Sequence, residues 1–199
     1  MPQKKNKGRV NLYIDGEFCC GLDLFTAQKY RLKIDAEIEK AKLTQVVHDA
    51  ECSSAFEKAM HLVNIRLRSE KEIRDYLQKK EYSAAIIEDS VEKLKSYRYI
   101  NDAEFARMYI EAHRAKWGNL KIKFALKAAG VDAEIVAAAF EDIPDQTEEA
   151  YVLAVKYNRN KTEADRRKLF AHLMQKGFDT DTIRHALIKL KEETENSEV

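Results

Sequence analysis

Six apolar positions recur three times at the same spacing, and this internal repeat limits the possible folds more than any other feature of the chain. In each copy the first two positions are four residues apart, and the last three are separated by four and then three residues. These spacings place side chains on one face of a helix, so each copy predicts two amphipathic helices joined by a short turn. The three copies are Ile73, Leu77, Tyr82, Ile87, Val91 and Leu94; Ile122, Leu126, Val131, Val136, Phe140 and Ile143; and Leu169, Leu173, Phe178, Ile183, Leu187 and Leu190.

The turn between the two helices contains residues that end one helix and begin the next. Gly130 and Gly177 stand just past the first helix of their copies, where a left-handed backbone suits a residue without a Cβ atom. The first copy has Glu81 at this position. Residues with a short oxygen-bearing side chain follow, and we expect them to be N-caps. They are Ser83, Asp132 and Asp179.

One further amphipathic helix precedes each pair, so the chain is predicted to be mainly α with three tandem three-helix repeats. The predicted first helices are 55–67, 102–116 and 146–158, and the repeats are 51–101, 102–145 and 146–199, the last with an acidic tail. A unit of about 45 residues is near the lower limit for burying a sufficient core alone. We therefore expect the repeats to stack on one another in an elongated array.

Residues 1–50 predict a small N-terminal extension of mixed structure. Alternating apolar residues flank Asp15-Gly16, the pattern of a β-hairpin with a tight turn. Two short helices should follow, at 23–32 with Asp23 as N-cap and at 44–50.

Composition excludes several classes of protein. The 35 basic and 34 acidic side chains nearly cancel, so no global field attracts the chain to DNA. Cys19, Cys20 and Cys52 form no C-x-x-C pair and no metal spacing with the five histidines, which predicts reduced thiols and no cofactor. Neither a signal peptide nor a membrane span is present, and no catalytic motif is found. We expect a cytoplasmic monomer that binds a partner and is not an enzyme.

Basic residues gather at the ends of the predicted first helices and in the middle repeat. Pairs of the form basic-x-basic occur at Arg66 and Arg68, Arg114 and Lys116, and Arg159 and Lys161. Interaction with the helix dipole would suffice to explain them. The middle repeat adds further cations with few nearby acids, which favours a binding surface. The candidate binding residues are Arg68, Arg107, Arg114, Lys116, Lys121, Lys123 and Lys127. Trp117 lies among them, and a core position suits it better than an exposed one.

Residues 99–106, Tyr-Ile-Asn-Asp-Ala-Glu-Phe-Ala, followed by Gly118, Ile122, Leu126 and Gly130-Val131, resemble the RecX family of regulators of the RecA recombinase. Asn101 and Ala129 depart from the family pattern, which has Asp and Lys there. The resemblance implies three-helix units that lie in the deep groove of the RecA–single-stranded DNA filament and restrain ATP hydrolysis and strand exchange. Single-stranded DNA would then be contacted through the filament.

Two other functions are compatible with the residues. A three-helix unit with a short turn before its last helix has the outline of a helix-turn-helix DNA-binding module. However, the third helix of the middle repeat, 133–143, contains no Arg, Asn or Gln that could contact base edges. The other alternative is a scaffold that binds proteins and no nucleic acid.

Overall fold

The computed structural model describes residues 8–158 and 166–196, in which two strands and ten helices are formed. The chain divides into two compact units, Met1–Ile100 and Asn101–Val199. Within the described residues no helix is long and apolar enough to cross a membrane.

The N-terminal extension begins with the predicted hairpin. Strands β1 (Arg9–Ile14) and β2 (Glu17–Asp23) pair antiparallel. Asp15 and Gly16 have φ angles of +52° and +88°, so both turn residues are left-handed as the sequence predicts. An irregularity in the pairing leaves Cys19 without a partner on β1.

Helix α1 (Leu24–Lys29) follows the hairpin directly and starts at the predicted cap. The Asp23 carboxylate accepts a hydrogen bond from the backbone N–H of Thr26 at 2.7 Å. Leu22 of the hairpin is buried with Val46 and Ala50 of the next helix, forming the small core of the extension.

The two helices predicted at 44–50 and 55–67 are one continuous helix, α2 (Lys40–Ile65), and the prediction of a break between them was wrong. The predicted boundary at residue 50 lies inside this helix. Serine at 53 and 54 favours a helix end in isolation. Here, Val46 and Ala50 are held in the core of the extension, while Ala55 and Ala59 are held in the core of repeat 1. Packing on both sides therefore overrides the local preference.

The remaining helices form the three repeats. Repeat 1 consists of the C-terminal half of α2 with α3 (Glu70–Lys79) and α4 (Ala84–Ser96). Repeat 2 contains α5 (Asp102–His113), α6 (Asn119–Ala128) and α7 (Ala133–Ala139). Repeat 3 contains α8 (Thr147–Asn158), α9 (Arg166–Lys176) and α10 (Thr180–Asn196). The stacking of all three in an elongated array stays a prediction.

Each repeat has its own core, and all eighteen predicted apolar positions belong to these three cores. The first, second and fourth positions of every copy are buried, which confirms the register of the repeat. Helix α7 is shorter than predicted, so Phe140 and Ile143 pack from the turn that follows it. Pro144 disfavours a helical backbone at the residue before it, so the helix does not continue through Ile143.

The predicted caps and left-handed turns are present. Ser69 and Glu72 form a complete capping box at the start of α3. Glu81, Gly130 and Gly177 have φ angles of +65°, +81° and +88° after α3, α6 and α9. At the predicted caps, Ser83, Asp132 and Asp179, a side-chain oxygen accepts a hydrogen bond from an N–H group in the first turn of the following helix. Asn101 caps α5 in the same way.

We expect Leu126→Ala to lower the free energy of unfolding by roughly 2–5 kcal/mol, because the side chain is completely buried and its loss leaves a cavity. Denaturant titration followed by circular dichroism measures this change. Leu120→Ala is the matched control on the same helix, because Leu120 is 54% exposed. Equal losses in the two variants would contradict the register.

Replacing Glu81 by glycine should raise stability by about 1 kcal/mol, because Glu81 adopts a left-handed backbone that costs an L-residue free energy. Gly130→Ala, at the equivalent position of repeat 2, should lower stability by a similar amount. Thermal melting of both variants checks the opposite signs, and a loss of stability in Glu81→Gly would overturn the assignment.

Candidate interaction surface on the second repeat

Repeats 2 and 3 meet where the C-terminal end of α9 reaches the N-terminal end of α6. The backbone N–H of Gly118 donates to the carbonyl of Lys176 at 2.9 Å, and the N–H of Leu120 donates to the carbonyl of Gly177 at 3.1 Å. A Cβ atom on Gly118 would lie 2.1 Å from the carbonyl carbon and oxygen of Gly177. The two backbones approach this closely only because neither residue has a side chain.

Gln146, just before α8, completes this junction and is 2% exposed. Its Oε1 accepts from the N–H of Asn119 at 2.7 Å, and its Nε2 donates to the carbonyls of Arg114 and Trp117 at 3.1 and 3.2 Å. Repeat 3 thereby satisfies the free N–H groups at the start of α6. In repeat 1 the capping box at Ser69 serves this purpose from within the repeat.

Arg114 is also part of the junction. Its Nε and Nη2 donate to Oε1 of Glu149 on α8 at 3.0 and 2.7 Å, and both side chains are only about one-fifth exposed. The prediction grouped Arg114 with the binding residues because it is basic and outside the apolar positions. The structure gives Arg114 a role in holding repeat 3 against repeat 2, and its part in binding a partner stays a prediction.

The outer side of α6 combines exposed apolar and basic side chains. Phe124 is 75% exposed and Leu120 is 54% exposed, and Lys127 lies on the same side one turn further on. Lys123 flanks this side, with its Nζ 4.7 Å from the centre of the Phe140 ring. We call these residues, Leu120, Lys123, Phe124 and Lys127, the α6 face.

Comparison with repeat 1 shows that the fold does not require this chemistry. Asp75 of α3 occupies the position of Phe124, and it pairs with Lys71, which occupies the position of Leu120, at 2.5 Å. Helix α3 contains three acids and three bases, whereas α6 contains three lysines and no acid. Since the equivalent helix of repeat 1 forms with its surface charges paired, the α6 face is a candidate for binding a partner.

The other predicted cations of repeat 2 are exposed or packed on rings. Arg107 on α5, Lys116 after it and Lys127 are exposed, and none forms an ion pair with another residue of the described ranges. Lys121 is half-buried, with its Nζ 4.7 Å from the centre of the Trp117 ring and its Cβ near Gly177. Lys121 therefore also supports the junction.

Arg68 lies in the other unit, between α2 and α3. Its Nη1 is 3.9 Å from Oε1 of Glu72, at the limit of an ion pair, and its Nε is buried with no hydrogen-bond partner among the described residues. Its neighbour Arg66 is bound by Glu72 at 2.6 Å. The third basic pair, Arg159 and Lys161, lies outside the described residues.

Helix α9 is a second basic helix of this unit. It carries four cations and no acid, and Arg166, Arg167 and Lys168 are exposed in its first turn. Because α9 ends at the start of α6, the two basic helices of this unit follow one another end to end. The acids nearest to this cluster in the sequence, at 163 and 165, precede the helix.

Trp117 belongs to the core side of repeat 2, as predicted. It packs against the buried cluster and stacks on His113 with ring centres 4.6 Å apart, and His113 stacks on Tyr109 at 4.1 Å. The aromatic side chain available to a partner in this repeat is therefore Phe124, which sequence reasoning missed. A comparison of Phe124 with Asp75 across the repeats would have identified it.

Family models match along the chain in the order of its structural parts. Residues 1–39 match the RecX N-terminal domain, and residues 55–94, 101–139 and 145–187 match the first, second and third three-helix domains of RecX.

Curated relatives and solved structures agree with these matches. The chain is 31% identical to the regulatory protein RecX of Clostridium beijerinckii, covering 94% of this chain and 92% of the relative. It is 34% identical to that of Bacillus pumilus, covering 93% and 73%. A crystal structure of a regulatory protein RecX shares the fold with a TM-score of 0.70 at 22% identity, covering 92% and 94%. The RecX structure from Lactobacillus salivarius has a TM-score of 0.64 at 27% identity, covering 71% and 97%.

Gly118→Ala should destabilise the second unit by about 3 kcal/mol, near the upper end for overpacking, because the added methyl group meets backbone atoms that cannot rotate away. Its φ of −72° is ordinary for alanine, so backbone strain makes no contribution. Denaturant unfolding of Gly118→Ala, Gln146→Ala and the double variant measures the effect. Both changes disrupt one junction, so their losses should be less than additive. Wild-type stability in Gly118→Ala would disprove the contact.

Proposed function

The chain belongs to the RecX family of regulatory proteins, and on this basis we propose that it regulates a RecA recombinase by binding in the groove of the RecA–single-stranded DNA filament. Bound there, it restrains ATP hydrolysis and strand exchange. The observation that carries the proposal is the match of the N-terminal domain and of all three three-helix domains, in order, along one chain.

We place the principal contact of repeat 2 on the α6 face together with Arg107 and Lys116. Lysine and arginine side chains bind DNA phosphates or acidic groups of the recombinase. Phe124 offers an aromatic surface that gains free energy when it is buried against a base or an apolar pocket. The start of α6 is not an anion site, because Gln146 and the end of α9 already accept from its N–H groups.

The charge balance of the chain supports a filament over free DNA as the partner. A protein that binds duplex DNA by itself relies on a strongly basic surface, whereas this chain has a formal net charge of +1. A filament groove presents both protein and phosphate, so a local cluster of cations beside exposed apolar groups suffices. The mechanism is occupancy of the groove, without a chemical step, and the protein acts as a cytoplasmic monomer.

Reversing the charge of three exposed cations, Arg107→Glu, Lys116→Glu and Lys127→Glu together, should weaken inhibition of RecA strand exchange and ATPase at least tenfold. None of the three side chains forms an ion pair with another described residue, in contrast to Arg114, which pairs with Glu149. Inhibition curves against protein concentration measure the effect, and circular dichroism verifies that the helices remain. The matched control reverses three exposed lysines of the N-terminal extension, Lys33, Lys40 and Lys42.

Phe124→Ala tests the apolar part of the α6 face in the same inhibition assay. Repeat 3 has Ala171 at the equivalent position, so the fold tolerates alanine there. The variant should keep its melting temperature and lose inhibition by about tenfold, the loss expected for one central aromatic contact. Unchanged inhibition in both arms would remove this surface from the mechanism. Pull-downs on filament, bare single strand and duplex then test the rival modes, since equal binding to duplex would favour a direct DNA-binding protein.

A further inference from the structure

A histidine, a cysteine and an aspartate converge where α2 packs against α4 in the first unit. His48 and Cys52 lie one turn apart on α2, and Asp89 projects from α4. The Cys52 Sγ is 3.8 Å from His48 Nδ1 and 3.8 Å from Asp89 Oδ2, and Asp89 Oδ2 is 3.5 Å from His48 Nε2. From this geometry we infer that these three side chains bind one divalent transition-metal ion, with Zn²⁺ as the best match.

The distances suit a tetrahedral ion. Zinc binds sulfur at about 2.3 Å and nitrogen or oxygen at about 2.0–2.2 Å, so neighbouring ligand atoms are about 3.3–3.6 Å apart. One ligand atom from each of the three residues lies within 4.8 Å of the other two. The two short approaches use different nitrogens of His48, so the exposed ring must turn for one nitrogen to serve as the ligand. Water completes the coordination.

The ligand types select the ion. A thiolate and an imidazole favour Zn²⁺ and similar transition metals, whereas Mg²⁺ and Ca²⁺ are held by oxygen atoms alone. Burial and then the charge of Asp89 raise the pKa of the Cys52 thiol to about 11, with smaller contributions from Asp49 and Glu51. The carboxylates of Asp89, Asp49 and Glu51 lie close enough to the thiol to attract a cation. On binding, the S–H bond breaks, a sulfur–metal bond forms, and the proton passes to the solvent.

An ordinary surface ion pair would explain why His48 lies near Asp89, but it would not explain the position of Cys52. Such a pair needs no thiol, yet Cys52 lies within reach of both partners on the adjacent turn. The predicted helix break after residue 50 separates His48 from Cys52, so the two residues do not share a helix face in that prediction. Once α2 is continuous, His48 and Cys52 are in the i, i+4 relation that places two ligands on one helix face.

This site lies mainly outside the matched family models. Residues 40–54, which contain His48 and Cys52, fall between the N-terminal model and the first three-helix model. A bound ion would join α2 to α4 and stabilise the first unit in proportion to its occupancy. It would therefore strengthen the attachment of this linking segment to repeat 1, independently of how the protein acts on its partner.

Titration of the reduced, metal-stripped full-length protein with Co²⁺ tests the inference. We expect one ion per chain, with the visible bands of tetrahedral cobalt and a near-ultraviolet band from thiolate to metal charge transfer. Zn²⁺ should displace the cobalt and raise the melting temperature. Cys52→Ser should abolish the charge-transfer band. His48→Ala and Asp89→Asn each remove a direct ligand, so each should weaken binding roughly 100-fold, the upper end of the loss caused by removing a hydrogen-bond partner of a ligand.

The double variant Cys19→Ser, Cys20→Ser is the matched control, because it removes the other two thiols and leaves the cluster intact. Its spectrum and stoichiometry should equal those of the wild type. Three results would overturn the inference: no saturable binding by the wild type, a charge-transfer band that survives Cys52→Ser, or a band that is lost in the double control. Melting curves of each variant without metal verify that the fold is retained.

Discussion

The second unit depends on a contact between two glycines. Gly118 and Gly177 allow the end of α9 to approach the start of α6 so closely that backbone carbonyls of one repeat accept from backbone N–H groups of the next. The negative end of one helix dipole thereby meets the positive end of another. Gln146 and the Arg114–Glu149 pair close the junction on either side. These contacts hold helix α6 at its N-terminal end, and the core of repeat 2 holds its inner face. Its outer side is exposed.

The three repeats were predictable because their signals are local. Spacings of three and four residues identify the buried positions, and the turn glycines and short polar caps identify the ends of helices. The continuity of α2 was not predictable in this way. Its middle residues, Ser53 and Ser54, favour a break, and only the two cores on either side, which are formed by distant residues, keep the helix intact.

The candidate surface could be predicted only in part. The number of cations in the sequence identified the middle repeat as a candidate. It could not show that Arg114 pairs with a carboxylate thirty-five residues away, whereas Lys127 has no carboxylate partner in the described part of the chain. Exposure also could not be deduced for Phe124, since an aromatic residue in an amphipathic helix is ordinarily buried. The repeats themselves supply the missing comparison, because a position that varies from Asp75 to Phe124 to Ala171 is not part of the shared core.

Helix α2 has 26 residues and a length of about 39 Å, and it contributes to two cores at once. A helix of this kind cannot fray from its middle without exposing apolar surface at both ends. The hairpin extension and repeat 1 should therefore open as one cooperative foldon, although their sequences look like separate modules. Removal of residues 1–50 would cut α2 between its two cores, so a shortened protein that begins at residue 51 starts inside a helix and lacks the turns that hold Ala55 and Ala59 in place from the N-terminal side.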